Sequence, residues 1–143
     1  MKKTIANALL VSVACISSAT AITHLSCLYF GPECYAIQMA PPKIIQSAKD
    51  STWLAPLGNI FISSLFILVA CYALSAAKII GKVPLLKLGI YTITTLCIVR
   101  GLLPIQLWLR HPEKVTDIVL LVGIAWLMTG LALGIGHRLN QQN

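Results

Sequence analysis

The sequence has very few charged residues. Only 10% of its 143 residues are Asp, Glu, Lys or Arg, and just four of them are acidic. An average soluble domain carries about 25% charged residues, because polar side chains are needed to cover a hydrophobic core. Since 57% of the residues are hydrophobic, the composition predicts a protein whose solvent is lipid. The length allows one domain.

Motifs for enzyme chemistry are also missing. There is no nucleotide-binding motif and no C-x-x-C pair, and the three histidines, His24, His111 and His137, lie at the ends of apolar segments. We therefore predict no cofactor and no metal, and the sequence argues against an enzyme. The net charge of +7 does not indicate a nucleic-acid partner, because Lys and Arg are not grouped with aromatic residues on one face.

The cysteines do not form a recognisable disulfide framework. Their number is odd, at five, and most of them lie inside apolar stretches, which is typical of small packing residues. Cys27 and Cys34 differ because they flank the outer end of the first apolar segment. They are the one pair considered for a disulfide, and the sequence alone leaves its formation open.

Four long apolar stretches divide the chain. A helix needs about 20 mostly apolar residues to cross a bilayer, and such stretches lie near residues 4–27, 55–78, 84–106 and 115–136. They predict an all-α polytopic membrane protein, a four-transmembrane-helix bundle that forms a single domain over residues 1–143. The lipid bilayer is its first predicted partner. Pro104 and Pro112 are expected to frame the connection between the third and fourth helices.

The first stretch has a second interpretation. Lys2-Lys3, an apolar run and Ala19-Thr20-Ala21 resemble a secretory signal with a small-residue cleavage site. Cleavage would leave three spans with the new N-terminus outside. We favour a retained helix, because the apolar character continues past Ala21 as far as Phe30.

The distribution of Lys and Arg sets the predicted orientation. With the N-terminus inside, six cations lie on the inner side: Lys2, Lys3, Lys78, Lys82, Lys87 and Arg138. The outer side then holds four, or five if Arg100 is included. Cytoplasmic segments are rich in Lys and Arg, and the N-terminal pair usually weighs most. We therefore predict a multi-pass protein of a bacterial inner membrane with both termini cytoplasmic.

The longest connection is the predicted outer loop, residues 28–54. Gly31-Pro32 ends the first helix. After Pro41-Pro42, the side chains of Ile44, Ile45 and Ala48 share one helical face and polar residues take the rest. This pattern predicts a short amphipathic helix that lies on the membrane surface or over the mouth of the bundle.

Arg100 is the charged residue deepest inside a span. Insertion scales give a cost of about 2.5–3.5 kcal/mol for Arg at a helix centre, which falls when a long side chain extends to the interface. Snorkelling, or an ion pair with Glu33 or Asp50, is the structural interpretation. The functional one is an anion or lipid-headgroup site, and a predicted cluster at the outer mouth would comprise His24, Glu33, Tyr35, Asp50 and Arg100.

Small and polar residues suggest helix contacts. Gly130 and Gly134 form a G-x-x-x-G motif in the fourth span, and small residues let helix backbones approach closely in lipid. The motif predicts packing within one bundle or, alternatively, a contact with a second copy or another membrane protein. Hydroxyl groups in the second and third spans either bond to neighbouring backbone or line a pore.

Four short motifs carry a resemblance to a known group. They are Ala55-Pro56-Leu57, Tyr72-Ala73-Leu74-Ser75, Pro84-Leu85-Leu86 and Arg100-Gly101. Over residues 24–103 the chain resembles a family of small, uncharacterised bacterial inner-membrane proteins with four helices. The resemblance implies the same architecture and no particular activity.

Two classes of function remain. The first is a small membrane protein that acts as an accessory, assembly or interaction component. The alternative is a transporter or channel for a small solute or ion, with a polar site near Arg100.

Overall fold

The computed structural model describes residues 2–142, with the backbone alone at residue 114. Within this part of the chain the structure is helical and contains no strand. The helices are α1 (Lys2–Phe30), α2 (Pro32–Ile37), α3 (Pro42–Lys49), α4 (Leu54–Ala76), α5 (Leu86–Arg110) and α6 (Asp117–Gln141). A 3-10 turn, Pro112–Lys114, joins α5 to α6.

Four helices are long and apolar enough to cross a membrane: α1, α4, α5 and α6. Most of their large apolar side chains are exposed, as expected of helices surrounded by lipid. The prediction of an all-α membrane protein with four spans is confirmed. The helices α1, α5 and α6 extend three to five residues beyond their predicted C-terminal ends, because helix continues into the polar interface.

We call the segment between α1 and α4, residues 31–53, the cap. The predicted amphipathic helix is confirmed as α3, which begins at Pro42. Sequence patterns missed α2, because its six residues are too few for helical periodicity to be detected. Gly31 separates α1 from α2 at φ 75°, a left-handed conformation that favours glycine.

The connection between α4 and α5 contains two strained residues. Lys78 has φ 61° and Leu85 has φ 53°, in a region that side chains with a Cβ rarely adopt. The Ser75 hydroxyl braces this turn, since it donates to the Gly81 carbonyl at 3.1 Å and accepts from the Val83 N–H at 3.0 Å. The turn is therefore a fixed element.

The expected position of Pro104 was wrong. It lies inside α5, which continues to Arg110, so only Pro112 borders the connection to α6. A proline within a helix removes one backbone donor. Here its ring packs against Gly123 of α6, where an added Cβ would be 3.0 Å from the Pro104 Cγ.

The chain divides into two compact units. The disulfide unit is Cys15–Ala70, and the hairpin unit comprises residues 2–14 and 71–142. Each is described by itself. The disulfide unit contains the cap, and the hairpin unit contains α5 and α6.

Backbone contact between α5 and α6 organises the hairpin unit. A Cβ on Gly101 would lie 2.7 Å from the Gly123 carbonyl oxygen and 2.6 Å from the Leu127 nitrogen. The N-terminal part of α1 joins this packing, because a Cβ on Gly136 would lie 3.2 Å from the Ala6 carbonyl oxygen. Ala6 and Leu10 are fully buried, so the first turns of α1 are part of the core of this unit.

Candidate functional site

The cap is fastened to the end of α1 by a disulfide. Cys27 of α1 and Cys34 of α2 are bonded, with their Cα atoms 5.1 Å apart, within the usual range for a bridge. The half-cystines, Tyr35 and Ala55 form a small core, against which Ile44 of α3 packs. The pair considered from the sequence is therefore joined.

Asn59 of α4 ties the cap to both long helices of the disulfide unit. Its side chain is 5% exposed, and its Nδ2 group donates to the His24 carbonyl at 2.7 Å and to the Tyr35 hydroxyl at 3.3 Å. A buried polar group needs such partners. Asn59 thus links α1, α2 and α4 at one point.

Two further polar side chains hold the cap. The Gln38 amide donates to the Thr23 carbonyl of α1 at 2.6 Å. The buried Ser47 hydroxyl lies 2.6 Å from the Thr52 hydroxyl and accepts from the Ala55 N–H at 2.9 Å. This second contact satisfies an N–H in the first turn of α4, which has no partner within its own helix.

A small cavity opens in the cap. It has a volume of about 310 Å³ and is bordered by Cys27, Tyr35, Thr52 and Trp53. Its lining contains no charged residue. The Trp53 side chain is 79% exposed, as expected for an aromatic residue at the membrane interface.

The residues of the predicted outer-mouth cluster take different positions. The half-buried His24 ring stacks on Phe66 at 5.3 Å, and its carbonyl shares Asn59 with the buried Tyr35. Glu33 is exposed on α2, and the exposed Asp50 accepts a hydrogen bond from Gln46 at 2.9 Å. Arg100 belongs to the hairpin unit, so its convergence with the other four stays a prediction.

Arg100 borders a groove along α5. The groove has a volume of about 520 Å³ and also contains Gln106, Arg110 and His111. We call it the Arg100 groove. The Arg100 side chain is exposed, and His111 pairs with Glu113 at 3.3 Å. Arginines on one helix face can hold an anion or reach the interface by snorkelling.

Gly130 and Gly134 face α5 of the same chain. A Cβ on Gly130 would lie 2.9 Å from the Cys97 Cβ, and one on Gly134 would lie 3.0 Å from the Thr94 methyl group. This geometry corresponds to packing within one chain. A contact between chains through this motif stays a prediction, and it would have to replace α5 on this face.

Several hydroxyl groups of the spans bond to backbone carbonyls. Thr20, Ser64, Thr95 and Thr129 each donate to the carbonyl four residues earlier, at 2.8 to 2.9 Å. Three others, Ser17, Ser63 and Thr94, are buried without a partner in the described residues. A hydroxyl that bonds to its own helix does not by itself indicate a pore.

Sequence patterns did not identify the three polar residues whose hydrogen bonds hold the cap. The sequence predicts no contact for Asn59, Gln38 or Ser47. Only Asn59 carried a usable signal, because an amide within a long apolar run usually has a buried partner. Among residues 2–142, no group of three His, Cys, Asp or Glu side chains is arranged to hold a metal ion.

Comparison with known proteins gives no relative. No family model, no curated protein and no solved structure matches the chain. Function is therefore inferred from the contacts described above.

Proposed function

We propose that this protein is a non-enzymatic accessory or interaction component of a bacterial inner membrane, with the cap as its ordered extramembrane element. The carrying observation is that the cap is cross-linked by Cys27–Cys34 and braced by the Asn59 side chain. A braced cap suits a surface that must keep its shape.

The disulfide and the charges support an orientation with the cap outside. Disulfides persist in oxidising compartments such as the periplasm, and Cys27–Cys34 lies at the cap end of α1. Lys2 and Lys3 lie at the other end of the same helix. Because Lys favours the cytoplasmic side, both indicators support an orientation with cytoplasmic termini.

Water accessibility of single cysteines tests the proposal. The background is the full chain with Cys15, Cys71 and Cys97 replaced by Ala, which keeps the disulfide. Cysteines introduced one at a time for Ser63, Ser64, Thr94 and Thr95 should not react with a water-soluble maleimide. Lys43→Cys on exposed α3 should react and serves as the positive control. Reaction at Ser63 or Thr94, the two positions with buried hydroxyl groups, would overturn the proposal.

The alternative function is a transporter or channel for a small solute or ion. The Arg100 groove favours it, because it combines two arginines and a histidine in a cleft of about 520 Å³. The discriminating measurement is uptake of a candidate anion into proteoliposomes, compared for the wild type and Arg100→Gln. Uptake that is lost in Arg100→Gln and kept in Arg110→Gln would favour transport over the accessory role.

A further inference from the structure

Besides the Arg100 groove, the hairpin unit contains a second cavity. It has a volume of about 520 Å³ and is formed by the α4–α5 turn and the last turns of α6. Its polar lining residues are Ser75, Lys78, Lys82, His137, Asn140 and Gln141. We call it the basic cavity, and its volume is in the range of small-ligand sites.

The wall formed by α6 carries buried polar groups. His137 and Asn140 are each 4% exposed. The Gln141 amide donates to His137 Nε2 at 2.9 Å, which leaves Nδ1 as the N–H donor of a neutral ring. Two buried polar side chains in a membrane helix are costly unless they have partners.

Asn140 is incompletely satisfied. Its Nδ2 group donates to the Ala76 carbonyl at 2.7 Å and to Asn7 Oδ1 at 3.3 Å, which fixes the orientation of the amide. Its Oδ1 atom is buried without a hydrogen-bond partner in the described residues. An unpaired buried acceptor points to a missing donor.

The opposite wall carries positive charge without a nearby acid. Lys78 and Lys82 are exposed at the cavity, and none of residues 2–142 that line it is acidic. The acids of this unit lie at the far end of α6, since Asp117 begins the helix that Asn140 nearly ends. By the rise of an α-helix, these two residues are about 35 Å apart.

The turn that carries both lysines is held in place. Ser75 bonds to Gly81 and Val83, and Tyr72 donates to the Pro84 carbonyl at 3.1 Å. Lys78 adopts a left-handed conformation at φ 61°. The ammonium groups are thus presented on a braced turn, which lowers the ordering cost of binding.

We propose that the basic cavity binds the phosphate ester of a glycerol group, as in the head group of an anionic phospholipid. Lys78 and Lys82 would neutralise the phosphate, and the glycerol hydroxyls would meet the polar wall formed by His137, Asn140 and Gln141. Basic pockets between transmembrane helices are known to take lipid phosphates. Free glycerol phosphate has the same chemistry, so the source is left to the experiment.

Binding of two probes to the purified full chain in a zwitterionic detergent tests the proposal. The probes are dioctanoyl phosphatidylglycerol and soluble glycerol 3-phosphate, measured by native mass spectrometry. The double variant Lys78→Gln, Lys82→Gln should weaken binding of a probe at least tenfold. The matched control Lys2→Gln, Lys3→Gln removes the same charge from exposed residues outside the cavity, and it should change the Kd less than twofold.

The outcomes distinguish a lipid site from a site for free glycerol phosphate, and both of these from failure of the proposal. Selective binding of phosphatidylglycerol alone identifies a lipid site, and selective binding of glycerol phosphate as well identifies a site for the free ester. Equal weakening by both double variants would show unspecific charge attraction and overturn the proposal. It is also overturned if dioctanoyl phosphatidylcholine binds as tightly as phosphatidylglycerol, or if neither probe binds.

Discussion

At the scale of single residues, close packing decides which positions tolerate change. Gly101 and Gly123 let the backbones of α5 and α6 touch, and neither glycine was identified as a contact from the sequence. The Gly130/Gly134 motif was found because its spacing is a known pattern. Gly101 had no such partner on its own helix, and its role depends on a neighbour that only the tertiary structure supplies.

Gly101→Ala should destabilise the protein. The new methyl group would collide with backbone atoms at 2.6 and 2.7 Å, and backbone cannot move aside as a flexible side chain can. Overpacking typically costs about 1–3 kcal/mol. The measurement is the unfolding midpoint of the purified variant in a detergent titration.

Gly58→Ala is the matched control for this change. Gly58 is also helical, but the nearest atom to its added Cβ, the Ile44 Cδ1 atom, lies 3.5 Å away. Because Ala is the better helix former, this variant should be neutral or slightly stabilised. Equal destabilisation of both variants would contradict the packing argument.

Asn59→Ala should loosen the cap. The substitution removes the donor that reaches the Tyr35 hydroxyl and the His24 carbonyl, and it leaves a buried polar group unpaired. The expected loss of stability is about 1–3 kcal/mol, measured by thermal unfolding. Ser64→Ala, whose exposed hydroxyl bonds only within its own helix, should stay within about 0.5 kcal/mol of the wild type.

At the scale of elements, apolar length was enough to find every span, and the alternation of polar and apolar faces was enough to find α3. The ends of the spans were less predictable, because helical hydrogen bonding continues where hydrophobicity has already fallen. The cap contacts were not predictable from the sequence. Gln38 meets Thr23 only after α1 ends at Phe30 and the chain turns back at Gly31, and no periodicity encodes that turn.

The cap disulfide makes a direct prediction about thiols. Under denaturing conditions without reductant, three cysteines should react with maleimide, namely Cys15, Cys71 and Cys97. With reductant, all five should react. The difference is measured as a mass shift. Five modified cysteines without reductant would show that the bridge does not form.

Cys34→Ser is the control for the thiol count, because it should give four modified cysteines with or without reductant. Reduction should also make residues 31–53 more sensitive to protease. A bridge over so short a loop contributes about 2–3 kcal/mol by the loop-entropy model. The cleavage rate of the wild type with and without reductant measures this effect.

At the scale of the whole molecule, the orientation in the membrane was the hardest feature to predict. The predicted inner side has six cations and the outer side has four or five, which is a small difference. The disulfide adds an indicator that the charge count lacks. Lys43→Cys on α3 should therefore be labelled by an impermeant maleimide in spheroplasts. Lys82→Cys, in the α4–α5 turn, should be labelled only after permeabilisation.

The labelling experiment uses the background without Cys15, Cys71 and Cys97, so that only the introduced thiol reacts. Both target lysines are exposed, which makes accessibility to reagent comparable. Labelling of Lys82→Cys in intact spheroplasts, with protection of Lys43→Cys, would reverse the proposed orientation. The basic cavity would then face the outer leaflet.

The contact between α1 and α6 has a consequence for biosynthesis. Asn7 meets Asn140, and Gly136 makes room for Ala6 and Leu10. Helix α1 therefore cannot complete its packing until α6 has been translated. During that interval the face of α1 that packs against α6 is open to lipid or to insertion factors. A premature stop codon before α6 would therefore leave α1 without its partner.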